Sequence, residues 1–256
     1  MLSDLTAGAL ADAAARREFV SYAEVEAAAL AQSPALNALE FLAPSEHIKV
    51  IAEVKRASPS RGDLAEIADP AALARTYADN GASTISVLTE GRKFKGTLDD
   101  LRAVRAEVSV PVLRKDFIAE KYQILEARAA GADLVLLIVA ALEQEPLAQL
   151  NAFALSLGLT VLVETHSREE LHRALAIDAK LIGVNARNLS TFELDRELFA
   201  SLVGEIPSDV IKVAESAVRN ATDVQHYRDA GADVVLVGEA LVTSDPAATL
   251  QSFLAV

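Results

Sequence analysis

Cysteine is missing from the sequence, and so is any long uninterrupted apolar run. The first absence excludes disulfides, thiolate metal ligands and a cysteine nucleophile. A membrane-spanning helix needs roughly 18 consecutive apolar residues, which no window of the sequence reaches. The opening stretch, MLSDLTAGALADAAARREFV, also lacks the basic-then-apolar order of a secretory signal. We therefore expect a cytoplasmic protein that does not enter a membrane.

Positive charge is scarce, because 24 lysines and arginines stand against 37 aspartates and glutamates and give a formal net charge of −13. A surface that binds nucleic acid has to be basic, so we expect no nucleic-acid partner. An acidic protein can still carry a local basic pocket for a small anion. With 52% hydrophobic and 24% charged residues, the composition is typical of a globular protein.

Eight short runs rich in Val, Ile and Leu recur along the chain. They are continuous rather than alternating, which is the pattern of strands buried on both faces. The runs are KVIAEVK from Lys49, TISVLT from Thr84, VPVLRKD from Val110, LVLLIV from Leu134, TVLVET from Thr160, LIGVNA from Leu181, IKVAES from Ile211 and VVLVGE from Val234.

The segments between these runs have helical periodicity and helix-end signals. Asp69-Pro70 and Asp245-Pro246 each place a capping carboxylate before a proline at the first helical position. Gly81, Gly131 and Gly231 stand where helices should end, just before the next strand. An open doubly wound sheet is disfavoured, because no Gly-x-Gly-x-x-Gly loop follows the first strand. The sequence therefore predicts an α/β fold of the (β/α)8 TIM barrel type.

We predict a single barrel domain over residues 1–256, of which residues 1–48 form an N-terminal helical extension. The extension is rich in Ala, Glu and Leu, and Ser33-Pro34 interrupts it. We expect one or two helices that lie outside the barrel across one of its mouths. A simple packing extension is the alternative.

Polar and charged residues lie late in five of the predicted strands, where the active sites of such barrels form. Burying them costs several kcal/mol unless they are paired. A structural ion network is one explanation, and a catalytic site is the other. The residues are Glu53, Lys55, Lys115, Glu164, Asn185, Arg187, Glu215 and Ser216.

Two loops have features that suit an anion. The loop RASPSRG after the first strand contains Ser58, and its hydroxyls fit either an anion site or a mobile lid. Gly238 and Glu239 follow the last strand, where backbone amides commonly bind phosphate in barrels. A tight turn alone would also account for Gly238.

The sequence resembles the indole-3-glycerol phosphate synthase family along nearly its whole length. The matching phrases are IAEVKRASPS from Ile51, SVLTEGRKFKG from Ser86, VLRKDF from Val112, LVET from Leu162, GVNARNL from Gly183, VAES from Val213 and LVGEAL from Leu236. This resemblance implies closure of the indole ring of 1-(2-carboxyphenylamino)-1-deoxyribulose 5-phosphate, with loss of carbon dioxide and water, in tryptophan biosynthesis. It implies no cofactor and no catalytic metal.

The resemblance also implies roles for individual residues. Lys115 would protonate the substrate carbonyl, Glu164 and Lys55 would serve the dehydration, and Glu53 would hold the lysine. Asn185 and Glu215 would bind hydroxyls and order the site, and Arg187 would hold the anthranilate carboxylate with Lys55. The phosphate would bind at Ser58, Ser216, Ala217, Gly238 and Glu239, and the aromatic ring would lie against Phe94, Phe117 and Leu136.

The sequence departs from the family pattern at Ala186, Asn188 and Ala217. Ala217 stands where the family usually has glycine, so we expect less space beside the phosphate without loss of function.

Other functions stay open from the residues alone. Phosphoribosylanthranilate isomerase, another barrel enzyme, uses a cysteine that this chain lacks, whereas a Schiff-base aldolase could use Lys55 or Lys115. A non-catalytic phosphate-binding barrel would not need the full set of acids and lysines. We expect a monomer or a weak homo-oligomer. The histidines show no metal spacing and are interpreted as surface residues; they are His47, His166, His172 and His226.

Overall fold

All eight predicted strands are present and close into a parallel barrel in the computed structural model, which describes residues 1–189 and 191–256. Around the barrel, each strand pairs with its neighbours in sequence, and β1 closes the ring against β8. At the closure Ile51 is in register with Thr84 on one side and Leu236 on the other. The strands are β1 (Lys49–Val54), β2 (Thr84–Leu88), β3 (Val112–Lys115), β4 (Leu134–Ile138), β5 (Thr160–Thr165), β6 (Leu181–Asn185), β7 (Ile211–Glu215) and β8 (Val234–Val237).

The continuous apolar runs form strands because both faces of each strand are buried. In β4, Leu134, Leu136 and Ile138 belong to the apolar cluster inside the barrel. Val135 and Leu137 alternate with them and pack into the cluster between the sheet and the outer helices. Period-two geometry thus divides one apolar run between two cores.

Helices follow the strands on the outside of the barrel. The α-helices of the described residues are α1 (Leu2–Arg17), α2 (Tyr22–Leu30), α3 (Ala38–Phe41), α4 (Pro70–Asp79), α5 (Leu98–Glu107), α6 (Lys121–Ala129), α7 (Gln144–Ser156), α8 (Arg168–Leu175), α9 (Leu198–Leu202), α10 (Ala221–Asp229), α11 (Glu239–Val242) and α12 (Pro246–Leu254). Short 3-10 helices cover Val139–Ala141 and Val203–Glu205. Within the described ranges, no helix has both the length and the apolar character to cross a membrane.

The predicted helix-end signals are confirmed. Asp69 accepts a hydrogen bond from the backbone of Ala72, and Asp245 accepts one from Ala248, so both carboxylates cap the helices that the prolines open. Gly81, Gly131 and Gly231 have φ angles of 97°, 88° and 103°, a region that favours glycine at helix ends.

The N-terminal extension contains three helices, so the expectation of one or two was too low. The third, α3, has four residues, too few to show a helical period in the sequence. Leu2 and Leu5 of α1 reach the cavity at the carboxyl ends of the strands, as expected for an extension across one mouth. Farther along, the Leu36 N–H donates 2.8 Å to Asp133, directly before β4, at the other end of the barrel.

Candidate active site

A cavity of about 890 Å³ opens at the carboxyl ends of the barrel strands. Every site residue predicted from the sequence lines it, so the charged groups converge on an open pocket. The predicted residues that line the cavity are Glu53, Lys55, Ser58, Phe94, Lys115, Phe117, Leu136, Glu164, Asn185, Arg187, Glu215, Ser216, Ala217, Gly238 and Glu239.

Lys115, the last residue of β3, is surrounded by three carboxylates. Its Nζ lies 2.8 Å from Glu215 Oε2, 3.6 Å from Glu164 Oε2 and 3.8 Å from Glu53 Oε2. Burial alone would lower the pKa of Lys115, but the charges of Glu215, Glu53 and Glu164 outweigh it and raise the pKa. Lys115 is therefore a stable ammonium at the centre of the site.

Glu53 and Lys55 form a second ion pair on β1 and just after it. Lys55 Nζ lies 2.9 Å from Glu53 Oε1, and the Ser86 hydroxyl donates to Glu53 Oε2 at 3.2 Å. Burial would raise the pKa of Glu53, but Lys55 and Lys115 together lower it, so the carboxylate is ionised. Glycine at position 238 leaves room for this ion pair, because a Cβ there would lie 2.6 Å from Glu53 Oε1 and 3.0 Å from Lys55 Nζ.

Glu164 of β5 and Glu215 of β7 are buried together, and their pKa values move in opposite directions. Burial raises the pKa of Glu164, but Lys115 and His166 reverse this and lower it. Burial and the nearby charge of Glu164 raise the pKa of Glu215 to about 8, although Lys115 opposes this. Among the described residues no group donates to Glu215 Oε1, and the side chains of Glu215 and Glu164 lie within hydrogen-bond contact of each other. The surroundings of the two groups therefore favour an ionised Glu164 and shift the protonation of Glu215 to higher pH.

Gly183 of β6 leaves the space that Glu215 occupies. A Cβ at position 183 would lie 2.1 Å from Glu215 Oε1, which no real contact permits. Glycine inside a strand indicates that another group approaches the backbone closely.

His166 lies against the active site, and its interpretation as a surface residue was wrong. Its side chain is 11% exposed, with Nε2 3.1 Å from Glu164 Oε1 and Nδ1 3.0 Å from Glu170 Oε2. Burial would lower the pKa of His166, but the two carboxylates raise it to about 10. By contrast, His47 is exposed, and the side chains of His172 and His226 are 59% and 41% exposed.

Asn185 organises the turn after β7. Its Oδ1 accepts hydrogen bonds from the Ser216 hydroxyl at 2.8 Å and from the Arg187 N–H at 3.0 Å. Ser216 and Ala217 have φ angles of 69° and 58°, an uncommon conformation for residues other than glycine. Arg196 donates to the Ala217 carbonyl at 2.7 Å, which holds this turn in place.

The loop after β1 closes over the same end of the barrel. Ser58, Ser60 and Arg61 line the cavity, and Arg61 lies 2.7 Å from Glu239 across it. Arg56 turns to Asp100 instead and donates to both of its carboxylate oxygens, at 2.6 and 2.9 Å. The serine hydroxyls are thus presented to the cavity by a loop anchored at its first residue.

An apolar wall faces the charged groups. The Phe94 and Phe117 rings are tilted by 42° with their centroids 6.0 Å apart, and Leu136 belongs to the same cluster. Glu90 accepts hydrogen bonds from the backbone N–H groups of Arg92, Lys93 and Phe94, which fixes the loop that carries Phe94. The wall offers an apolar surface of two ring faces and an aliphatic side chain, against which an aromatic ring can pack.

Sequence reasoning missed several residues that complete the site. Ser86, Gly183 and Arg196 contact predicted residues, and Arg61 pairs with one of them. The in-strand glycine was a usable signal for Gly183, whereas the contacts of the others depend on tertiary structure. The missed residues are Arg61, Ser86, His166, Gly183 and Arg196.

A (β/α)8 barrel whose cavity gathers Lys55, Lys115 and buried glutamates at the carboxyl ends of its strands has the groups of an enzyme that works by proton transfer. The sequence model of the family described as indole-3-glycerol phosphate synthase matches residues 2–253. The chain is 68% identical over 253 residues to the indole-3-glycerol phosphate synthase of Leifsonia xyli, covering 99% of this chain and 97% of the relative. It is 57% identical over 251 residues to that of Mycobacterium avium, covering 98% and 92%.

Solved structures with low sequence identity share the fold. The thiamine phosphate pyrophosphorylase of Pyrococcus furiosus superposes with a TM-score of 0.60 at 14% identity, covering 80% of this chain and 93% of that one. The N-acetylmannosamine-6-phosphate 2-epimerase of Clostridium perfringens gives 0.61 at 13% identity, covering 83% and 94%. At the level of sequence, the chain belongs to the indole-3-glycerol phosphate synthase family.

Proposed function

We propose that the protein closes the indole ring of 1-(2-carboxyphenylamino)-1-deoxyribulose 5-phosphate to give indole-3-glycerol phosphate, carbon dioxide and water. The observation that carries this proposal is the ammonium of Lys115, which is surrounded by three carboxyl groups and lines the same cavity as the Phe94 and Phe117 rings. One cavity thus holds a proton donor and an apolar wall for an aromatic ring.

Ring closure needs a proton at the substrate ketone. As the ring carbon that bears the carboxylate attacks the ketone carbon, negative charge develops on the ketone oxygen. The Lys115 ammonium neutralises this charge by donating a proton. Because its carboxylate neighbours keep Lys115 charged, the donor is present throughout the neutral pH range.

Loss of carbon dioxide then returns the electron pair of the broken carbon–carboxylate bond to the six-membered ring and restores its aromaticity. Loss of the hydroxyl group as water completes the indole. The dehydration needs one acid and one base. Glu164 is ionised between Lys115 and His166, which supports its role as the base. Lys55, held on Glu53, is then the proton donor to the leaving hydroxyl group.

The substrate's two anionic ends need different partners. We assign the anthranilate carboxylate to Arg187 and Lys55, which both line the cavity. We assign the phosphate to Ser58, Ser216 and the backbone at Ala217, Gly238 and Glu239, where the loops after β1, β7 and β8 meet. The negative charge of Glu239 is offset by Arg61, 2.7 Å away. Phe94, Phe117 and Leu136 are assigned to the aromatic ring.

A Schiff-base aldolase is not favoured by this geometry. A lysine nucleophile has to be neutral, which requires a lowered pKa. The pKa of Lys115 is raised by Glu215, Glu53 and Glu164 against the effect of burial. A binding protein without catalysis would have no use for an ammonium held by three carboxylates.

The experiment is to add the anthranilate-ribulose phosphate to purified protein with a chelator present and to follow indole fluorescence. The chain contains no tryptophan, so the protein adds no indole emission of its own to the signal of the product. We expect product at the same rate with and without the chelator. A dependence on a defined divalent cation, or no product at all, would contradict the proposal.

We also propose that the protein acts in the cytoplasm, without nucleic acid, as a monomer or a weak homo-oligomer. The formal charge of −13 supports the exclusion of nucleic acid. Light scattering coupled to gel filtration over a range of concentrations, and fractionation of cells, test these points.

A further inference from the structure

His166 occupies a position that ring closure and substrate binding leave unexplained. It follows β5 directly, two residues after Glu164, and its ring lies between Glu164 and Glu170 of α8. Glu170 Oε2 also accepts the His166 backbone N–H at 2.8 Å, so the same carboxylate oxygen holds both the ring and the main chain. Ser167 caps α8 by accepting the Glu170 N–H, which fixes Glu170 in turn.

Two carboxylates on opposite ring nitrogens require a doubly protonated ring. A neutral imidazole has one nitrogen with a lone pair, which would face a carboxylate oxygen and be repelled by it. The contact to Glu164 at 3.1 Å is an ion pair rather than a well-aligned hydrogen bond, so its attraction depends on the charge of the ring. The titratable groups that face Glu164 are Lys115 from β3, His166 after β5 and Glu215 from β7.

We propose that His166 is a positioning residue for the reaction: its imidazolium, anchored on Glu170, holds Glu164 as a carboxylate and so directs the shared proton to Glu215. Glu164 is then free to act as the base, and Glu215 stays neutral where it orders Lys115. This inference rests on the proposed role of Glu164 in the dehydration. Without His166, the nearest remaining cation is Lys115, which lies closer to Glu215 at 2.8 Å than to Glu164 at 3.6 Å, so most of the shared proton moves to Glu164.

The kinetic test separates this role from a structural one by its pH dependence. With His166→Leu we expect kcat to fall by about tenfold or more at pH 6.5, because the proton then resides largely on Glu164. The deficit should shrink above the pKa of Glu215, about 8, where the pair no longer holds a proton. KM should change little. A loss of kcat that is equal at all pH values, or no loss, would overturn the proposal.

Two further variants guard against a folding defect. Glu170→Gln keeps His166 but removes the charge on its far side, so we expect a smaller deficit of the same pH form. His172→Gln is the matched control, because His172 lies on the same helix as Glu170, α8, but its side chain is 59% exposed and pairs with Glu205. We expect its pH profile to match that of the parent.

A measurement without substrate distinguishes failure of this inference from failure of the proposed function. The chain has four histidines, whose ring proton signals can be followed by NMR and assigned by single His→Gln variants. We expect His166 to keep the chemical shift of an imidazolium at pH 8 in the parent and to titrate at lower pH in Glu170→Gln. A neutral His166 ring at pH 8 in the parent would refute the inference even if the enzyme makes indole.

Discussion

Glu215 and Lys115 form the shortest ion-pair contact around the central ammonium, 2.8 Å between Oε2 and Nζ, yet the pKa of Glu215 is raised to about 8. The reason is that burial and the neighbouring charge of Glu164 together outweigh the attraction of Lys115. The same ammonium also lies 3.6 Å from Glu164 and 3.8 Å from Glu53, and the pKa values of both of these carboxyl groups are lowered. Two similar side chains thus have surroundings that shift their pKa values in opposite directions, which is the pattern of an acid–base pair.

The pH dependence of the free energy of unfolding tests whether Glu215 is protonated in the folded protein. Its pKa is raised in the folded state, so the contribution of protonated Glu215 is fully present below the unfolded value of 4.5 and is lost as pH rises through about 8. Glu215→Gln imitates the neutral carboxyl and has no proton to lose. We expect the free energy of unfolding of the parent to fall relative to that of the variant between pH 5 and 8, by at most about 1.4 kcal/mol per pH unit.

Urea unfolding of both proteins at several pH values measures this difference. Glu66→Gln, at an exposed position in the loop before α4, is the control and should run parallel to the parent. Parallel curves for Glu215→Gln and the parent would show that Glu215 is ionised in the folded protein.

Ala217 occupies a backbone conformation that suits glycine. Its φ of 58° costs about 1–2 kcal/mol for a residue with a Cβ, whereas glycine loses about 0.5–1 kcal/mol more backbone entropy on folding. We expect Ala217→Gly to raise the free energy of unfolding by up to about 1 kcal/mol and to retain activity. Ala176→Gly is the matched control: Ala176 is exposed and has a φ of −66°, so this variant should be less stable than the parent. Equal effects at both positions would contradict the strain at Ala217.

The fold could be predicted because its signals are local. Continuous apolar runs such as Leu134–Ile138 indicate strands buried on both faces, and a capping carboxylate before proline marks a helix start at Pro70. The extension was harder to divide, because the four residues of α3 complete only one turn. The periodicity of apolar residues identifies a helix in the sequence only when the helix has several turns.

The site could be predicted as a set of residues but not as a network. The rule that barrel active sites form at strand ends selects Lys115 and Glu164, and the cavity brings them together. It does not select His166, because a histidine after a strand has the same sequence context whether it is exposed or buried. Its burial follows from contacts with Glu164 and with Glu170 on the next helix. The allocation of a proton between Glu164 and Glu215 likewise requires three-dimensional distances.

Arg187 provides a test of ground-state binding. Its proposed partner is the anthranilate carboxylate, which is present from the first encounter until decarboxylation. We expect Arg187→Ala to raise KM by about 10- to 100-fold, because the loss of one charge-assisted hydrogen bond weakens binding by that factor. We expect kcat to change much less. Arg168→Ala is the control, because Arg168 has a side chain 59% exposed and pairs with Glu205. A loss confined to kcat would mean that Arg187 acts on the transition state instead.

Replacement of Lys115 tests whether this residue takes part in the reaction. Because Lys115→Met removes the proton donor to the ketone, we expect this variant to lower kcat by about a hundredfold to ten thousandfold. Lys49→Met, at the amino end of β1, is the matched control and should keep the parent rate. Circular dichroism of both variants checks that the barrel is folded. A near-parent rate in Lys115→Met would remove Lys115 from the reaction.

Borohydride distinguishes the two roles directly. An imine between a lysine and the substrate ketone forms with loss of water and is reduced by borohydride to a stable secondary amine, so the protein gains the mass of the substrate less one oxygen atom. Formation of that imine requires a neutral amine, whereas Glu215, Glu53 and Glu164 raise the pKa of Lys115 against the effect of burial. We therefore expect mass spectrometry of the parent, treated with substrate and borohydride, to show unmodified protein. A substrate-dependent adduct mapped to Lys115 would establish a covalent intermediate, and an adduct on Lys55 would transfer that role to the lysine held by Glu53.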